Sequence, residues 1–361
     1  MMNVKPKMCS KERVLTAFAR QEPDRVPINY FYNENIDQRL KQHYGLKAND
    51  DEALRQILGV DFRTPYVPYV GPKLFDDVPG RQVDIMGVHR VWVENAYGGY
   101  WDYVDFPLKD ATLDEIAAWP MPNPDDFDTS QVAAQCQMWE QYCLSIGDPG
   151  ITDFINSTGF LRSMEQVLVD LITDEPACLA YFDKKLAFQL GLMERILDAA
   201  NGRIDIFWMG EDLGTQRGPM ISKKLYRKHL RPRHQQMIDL AKSYDLPVVM
   251  HSCGSSSWAF DDFIEMGINV VDTLQPEVKD MAPAYLKATY GDRLAFHGCI
   301  STAGPVAYGT VQETIDDVRQ KLEIMMPGGG YALSPTHQLQ DNSPTENVVA
   351  MYETAQAHGW Y

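Results

Sequence analysis

The chain has 361 residues, 45% of them hydrophobic, and a formal net charge of −17. Such an acidic excess repels phosphates at long range and argues against a general nucleic-acid or anionic-membrane binder. There is no apolar run near the ~20 residues of a membrane span, no secretory leader is expected, and the six scattered cysteines do not resemble a disulfide framework. A cytoplasmic protein in a reducing compartment is the expectation.

In chain order, residues 26–31 read as an early strand and Gly150-Ile151-Thr152-Asp153-Phe154 as a later one. Between them the Trp-, Tyr-, Gly- and Pro-rich region 64–128 reads as an insertion or lid, with a hairpin from 84–88 and 90–93. From about residue 200 short apolar runs alternate with helical patterns. Strands are predicted at 204–209, 248–250, 269–272, 294–297 and 331–333. Helices are predicted from the N-cap Ser222 to Tyr244, over 258–266 up to Gly267, and over 281–290, 311–325 and 345–358. The run from Lys223 to Arg233 is densely basic and reads as a solvated helix face.

Strand–helix alternation with short loops means parallel βα units. Five such units in about 160 residues, without a dinucleotide fingerprint, favour a closed (β/α)8 TIM barrel over an open sheet. The expected fold is therefore α/β. It is a single barrel domain over 1–361, with N-terminal extensions and a hairpin insertion over the barrel mouth.

Reactive groups in a barrel belong at the C-terminal ends of strands. Four segments qualify: Glu211 with Asp212, His251 with Cys253, His297 through Cys299, and Thr336-His337-Gln338. His251 and Cys253 lie two apart just past a strand, so an extended backbone points both the same way. Imidazole plus thiolate suits Zn2+, a borderline-soft ion. His337 is the preferred third ligand, and Cys299 a further candidate. His297 alternates with Cys299, with a backbone hydrogen bond as its simpler role. Glu211 and Asp212 remain open between metal ligation, orientation of a ligand imidazole, and capping of their own loop. Three protein ligands and an open fourth position is the catalytic zinc arrangement.

The chain resembles the uroporphyrinogen decarboxylase superfamily. The likeness is carried by Lys11-Glu12-Arg13-Val14-Leu15 with Pro23-Asp24-Arg25-Val26-Pro27, and by Glu211-Asp212-Leu213-Gly214-Thr215-Gln216. His251-Ser252-Cys253-Gly254, His297-Gly298-Cys299-Ile300 and the ending Gly328-Gly329-Gly330-Tyr331…Ser334-Pro335-Thr336-His337…Pro344-Thr345-Glu346-Asn347 also carry it. The decarboxylases proper are metal-free and use an arginine-rich N-terminal segment, where this chain has the neutral, aromatic Ile28-Asn29-Tyr30-Phe31-Tyr32-Asn33. The zinc-dependent corrinoid methyltransferases share the His-x-Cys pair, and often carry cysteine where this chain has His337. The resemblance thus implies zinc-assisted methyl transfer, of the O-demethylase kind, from a small donor such as a methoxylated aromatic. The acceptor would be a corrinoid carried by a separate partner protein. In that reaction Glu211 or Asp212 acts as general acid or holds the donor, and the rings of Trp92, Tyr97, Tyr100, Trp101 and Tyr103 either cover it or pack on the barrel. The alternatives are a metal-free decarboxylase of a porphyrinogen or related acid, and a ligand-binding barrel without chemistry.

Overall fold

The alternating βα pattern dictates parallel pairing, and the main sheet is parallel throughout. The computed structural model describes residues 7–95 and 98–361. Strand β1 (Phe62–Arg63) opens the main sheet, and a separate antiparallel sheet follows: β2 (Gln82–Val83), β3 (His89–Asn95) and β4 (Gly98–Val104). The main sheet resumes with β5 (Cys143–Gly147), β6 (Ile206–Gly210), β7 (Val248–His251), β8 (Val270–Asp272), β9 (Ala295–Ile300) and β10 (Tyr331–Pro335). Its seven strands pair in the order β1-β5-β6-β7-β8-β9-β10.

Residues 26–31 complete the ring. Leu333 N donates to Pro27 O at 2.8 Å and Asn29 N to Leu333 O at 2.9 Å, while on the other edge Asp61 N donates to Ile28 O at 2.9 Å. Pro27 has no N–H to give, so this segment bridges its neighbours without forming a full ladder. The result is the TIM-barrel-like fold expected from the alternation.

Side-chain parity sorts the strands into two layers. Cys143, Ile206, Trp208, Val249, Ala295 and Ala332 face the barrel interior. Leu144, Phe207, Met209, Met250, Phe296 and Leu333 face outward into the larger core beneath the helices. Helix Ser10–Phe18 plugs the bottom of the barrel, adding Val14 and Phe18 to the inner cluster.

Several predicted elements move. Residues 150–154 form a turn, and the strand lies earlier, at Cys143–Gly147. Gly147 at φ +80° and Pro149 end it, and Thr152 at φ +60° has no place in a strand. The segment expected at 90–93 lies within β3, which pairs with β2 through Gln82–Arg90 and Val83–His89 and with β4 on its other side, while 84–88 forms the turn between β2 and β3; Tyr97 lies outside the described residues. β1, only two residues long, is too short to leave a periodic signal. Ser222 does cap its helix, its Oγ accepting from Leu225 N at 3.2 Å. That helix passes through a π-helical turn at Tyr226–Leu230 before Arg231–Ser243, beside Pro232, which cannot donate to the ladder.

Much of the basic run is paired within the chain, since Lys223, Arg227 and Arg231 converge on Asp262 and Lys228 pairs with Asp174. Among the described residues no helix is long and apolar enough to cross a membrane. All six cysteines are free.

Candidate metal centre

The loops leaving β6 and β7 are zipped together by two glycines. A Cβ on Gly254 would stand 2.4 Å from Gly214 O, and one on Gly214 would stand 2.3 Å from Ser255 N. Gly254 also adopts φ +71°, a left-handed conformation that glycine enters freely. Ser255 N donates to Thr215 O at 2.9 Å and Leu213 N to Ser252 Oγ at 3.2 Å. This contact carries Asp212 to the His251–Cys253 pair.

Cys253 Sγ lies 3.3 Å from His251 Nε2, and Asp212 Oδ1 lies 3.7 Å from the same nitrogen. One ligand atom from each of the three residues falls within 4.8 Å of the others. Asp212 is held in place by Cys253 N on Oδ1 and by Asn156 Nδ2 on Oδ2, both at 2.8 Å. A thiol, an imidazole and a carboxylate are the S, N and O donors that Zn2+ takes.

Behind the pair runs a directional hydrogen-bond chain. Tyr30 N donates to Asn29 Oδ1 at 2.8 Å, which turns Asn29 Nδ2 toward His297 Nε2 at 3.1 Å. His297 Nε2 therefore accepts, and its Nδ1–H donates to Asp272 Oδ1 at 2.6 Å. The other Asp272 oxygen takes the Nδ1–H of His251, also at 2.6 Å, and Thr273 Oγ1 sits 2.7 Å from that Nδ1. His251 Nε2, which faces Cys253, is the ring nitrogen left for a cation. A carboxylate behind a ligand imidazole fixes tautomer and ring orientation in this way.

Burial pushes the Cys253 thiol up. Burial also opposes charge on His251, but the Cys253 sulfur and the Asp272 carboxylate override it and hold this imidazole well above its usual pKa. Burial would raise Asp272 as well; the two imidazoles instead keep it well below the usual carboxylate range.

Three of the residues proposed from sequence lie elsewhere. Cys299 was expected to alternate with His297, but Gly298 at φ +112° and Cys299 at φ +77° break the alternation. Its side chain joins the outer core, and burial pushes its thiol up to about 12. His337 is exposed, its Nδ1 3.3 Å from Gln338 O, and it is not among the converging ligand atoms. Parity aligns Thr336, rather than His337, with inward-facing Ala332.

Glu211 shares the outward parity of Met209 and is fully buried. Its oxygens accept from Phe154 N at 2.9 Å and Ile155 N at 3.0 Å, so it caps helix Ile155–Arg162. Burial pushes its pKa up to about 8. Of the adjacent acids, then, Asp212 reaches the centre and Glu211 builds the wall behind it. Sequence reasoning missed Asp272 as a functional residue, although it ends a predicted strand with inward parity, and it missed Asn29 and Asn156.

At the ends of β1, β5 and β6 is a cavity of about 280 Å³ walled by Asn29, Phe31, Phe62, Trp139 and Trp208 among others, linked to the cluster through His297, which Asn29 and Trp208 both contact. Trp208 stands edge-on to His297, with centroids 4.9 Å apart. A second, larger cavity of about 870 Å³ separates the hairpin aromatics Trp92, Tyr100 and Trp101 from Gln338 and Asp341, which follow β10. Trp92, Tyr100, Trp101 and Tyr103 are all 40–51% exposed, so the hairpin overhangs the mouth without packing tightly on the barrel.

Fold and site together define an α/β-barrel protein with a His–Cys–carboxylate cluster at the C-terminal ends of its strands. Residues 197–358, which hold the whole cluster, match the family model of uroporphyrinogen decarboxylase (URO-D), so the superfamily resemblance read from the sequence holds over this segment. Among solved structures, a methyltransferase from Methanosarcina mazei is similar, with a TM-score of 0.63, 17% identity, and coverage of 97% of this chain and 99% of that one. Identity at that level speaks for the fold alone. A search of curated proteins finds no match.

Proposed function

We propose that this protein is a zinc-assisted methyltransferase component that moves a methyl group from a small donor to the cobalt of a corrinoid carried by a separate protein. The observation that supports it most is the convergence of Asp212, His251 and Cys253 at the barrel mouth, with Asp272 behind His251. The URO-D match over that segment and the fold shared with a methyltransferase are consistent with it. Zn2+ held by His251 Nε2, Cys253 Sγ and an Asp212 oxygen would supply Lewis acidity to the heteroatom that the methyl leaves.

The chain's own residues do the rest. Asp272 keeps the proton of His251 on Nδ1 and so frees Nε2 for the cation. Asn156 and the Cys253 amide hold both Asp212 oxygens at the rim. Phe31, Phe62 and Trp208 line the space beside the site and keep water from the leaving group.

Elemental analysis tests the centre. About one zinc per chain is expected, lost in a His251→Ala/Cys253→Ser double variant and reduced in Asp212→Asn. Cys299→Ser and His337→Ala should keep their zinc. Full metal in the double variant, or none after zinc is supplied, would overturn the assignment, and retention in Asp212→Asn with loss in His337→Ala would return His337 to the third position. Methyl transfer is then read as methylcob(III)alamin formed from cob(I)alamin and a methoxylated donor.

A further inference from the structure

We propose that the 280 Å³ cavity beside the metal centre binds a single aromatic ring bearing a carboxylate, with Arg55 as the carboxylate's partner. Calling that ligand the methyl donor rests on the function proposed above; the binding site itself stands on its own geometry.

The cavity lies at the lower edge of the ~300–1,000 Å³ typical of ligand pockets, room for one substituted ring and not for a tetrapyrrole. Its walls are aromatic: Phe31, Tyr32, Phe62, Trp139 and Trp208 present ring surface. It adjoins the metal centre through two of its wall residues. Asn29 is bonded to His297, and Trp208 precedes Gly210, the last residue of β6 before Asp212.

Two arginines line this wall, and they differ in what they already hold. Arg63 is fully engaged: its Nε and one terminal nitrogen grip both Glu52 oxygens at 2.8 Å, and its other terminal nitrogen reaches Val60 O and Phe62 O at 3.1 and 2.7 Å. It also lies 3.9 Å over the ring of Tyr142. Arg55 is half-buried, and among the described residues its guanidinium makes no hydrogen bond or ion pair. The charge that acts on it is Glu52, whose two oxygens Arg63 already occupies. The acidic wall residue, Asp148, is exposed at the rim and accepts from Gly150 N at 2.6 Å. An uncommitted guanidinium fork beside aromatic walls matches one carboxylate on one ring, because the fork and the carboxylate are bidentate complements.

Trp139 and Trp208 supply the readout, since both line the cavity. The zinc-supplemented full-length protein is titrated with 4-methoxybenzoate, benzoate and methoxybenzene, following tryptophan fluorescence and calorimetric heat. Both carboxylates are expected to bind, with methoxybenzene at least about tenfold weaker. Arg55→Met should remove that preference and leave methoxybenzene binding unchanged; among the described residues it breaks no hydrogen bond or ion pair, and a melting curve checks that it folds. Equal affinity for neutral and anionic rings, a preference that survives Arg55→Met, or no binding by the folded protein would overturn the proposal. Benzoate has no methyl to give, so its binding reports on the cavity alone. If it binds as expected while 4-methoxybenzoate methylates no cobalamin, the methyltransferase reading fails and the carboxylate site stands.

Discussion

Asp272 shows how much of this site lies in residues that touch no ligand. Its two oxygens hold the Nδ1 atoms of His251 and His297. An amide at that position offers protons where both imidazoles already carry one, so at least one ring must turn over or shift its tautomer. Asp272→Asn is therefore expected to weaken zinc binding by about 10–100-fold, the usual cost of losing a carboxylate behind a ligand histidine. Competition with a chromophoric chelator would measure it; unchanged affinity would mean that His251 is oriented by Thr273 and the backbone instead. The parity argument at this scale is simple and was available in the sequence. Asp212 shares the inward parity of Trp208, and Asp272 that of Val270, whereas Glu211 goes with Met209. What parity alone misses is a break in it, and the positive φ angles of Gly298 and Cys299 are such a break.

At the scale of elements, helix Arg231–Ser243 buries His234 against the loop that carries Asp153. Its ring stacks on Phe154 with centroids 5.7 Å apart, and Nε2 lies 3.2 Å from Thr152 O and 3.4 Å from Glu211. Burial pulls its pKa down to about 4 from an ordinary 6.5. In the unfolded chain the imidazole takes a proton near 6.5, so lowering the pH favours unfolding. The stability this group contributes is complete above about pH 6.5 and is lost as the pH falls toward 4, a change of order 3 kcal/mol. Glu211, raised by burial to about 8, works in the opposite sense over part of that range, because it resists ionising in the folded state. Comparison with His234→Gln isolates the histidine: the wild type's urea midpoint should fall relative to the variant's between pH 7 and pH 4.5. A gap constant across that range would show that His234 does not titrate with unfolding.

At the scale of the whole molecule, the two ends of the barrel do different work. The opening motifs Lys11-Glu12-Arg13 and Pro23-Asp24-Arg25 build the closed end. Arg13 pairs with Asp24 at 2.6 Å and Asp61 at 2.7 Å, Arg25 pairs with Asp61 at 2.8 Å, and Lys11 reaches Asp205 at 2.6 Å. Arg13, Asp24 and Asp61 are all nearly fully buried. Arg13→Leu would strip buried Asp24 of its guanidinium partner and leave Asp61 to Arg25 alone, and is expected to cost about 3–5 kcal/mol. Because this network plugs the barrel floor, the variant that remains folded should still bind zinc normally. A loss of zinc in step with stability would couple the two ends, against this division.

The sequence by itself determined the barrel, because alternation of apolar runs with amphipathic helices has few parallel solutions. It also determined the His251–Cys253 pair, because two ligands on one extended segment need no tertiary contact to converge. The third ligand of the proposed metal centre is a different matter. Asp212, Cys299 and His337 all sit at or near strand ends, and one-dimensional spacing does not rank them. The tertiary structure separates them through contacts distant in sequence: the Gly214–Gly254 approach brings Asp212 beside His251 and Cys253, and a reversed backbone at Gly298 turns Cys299 away. Asp272 was decided the same way, because a carboxylate becomes an imidazole's partner only when neighbouring strands set its side chain beside the ring.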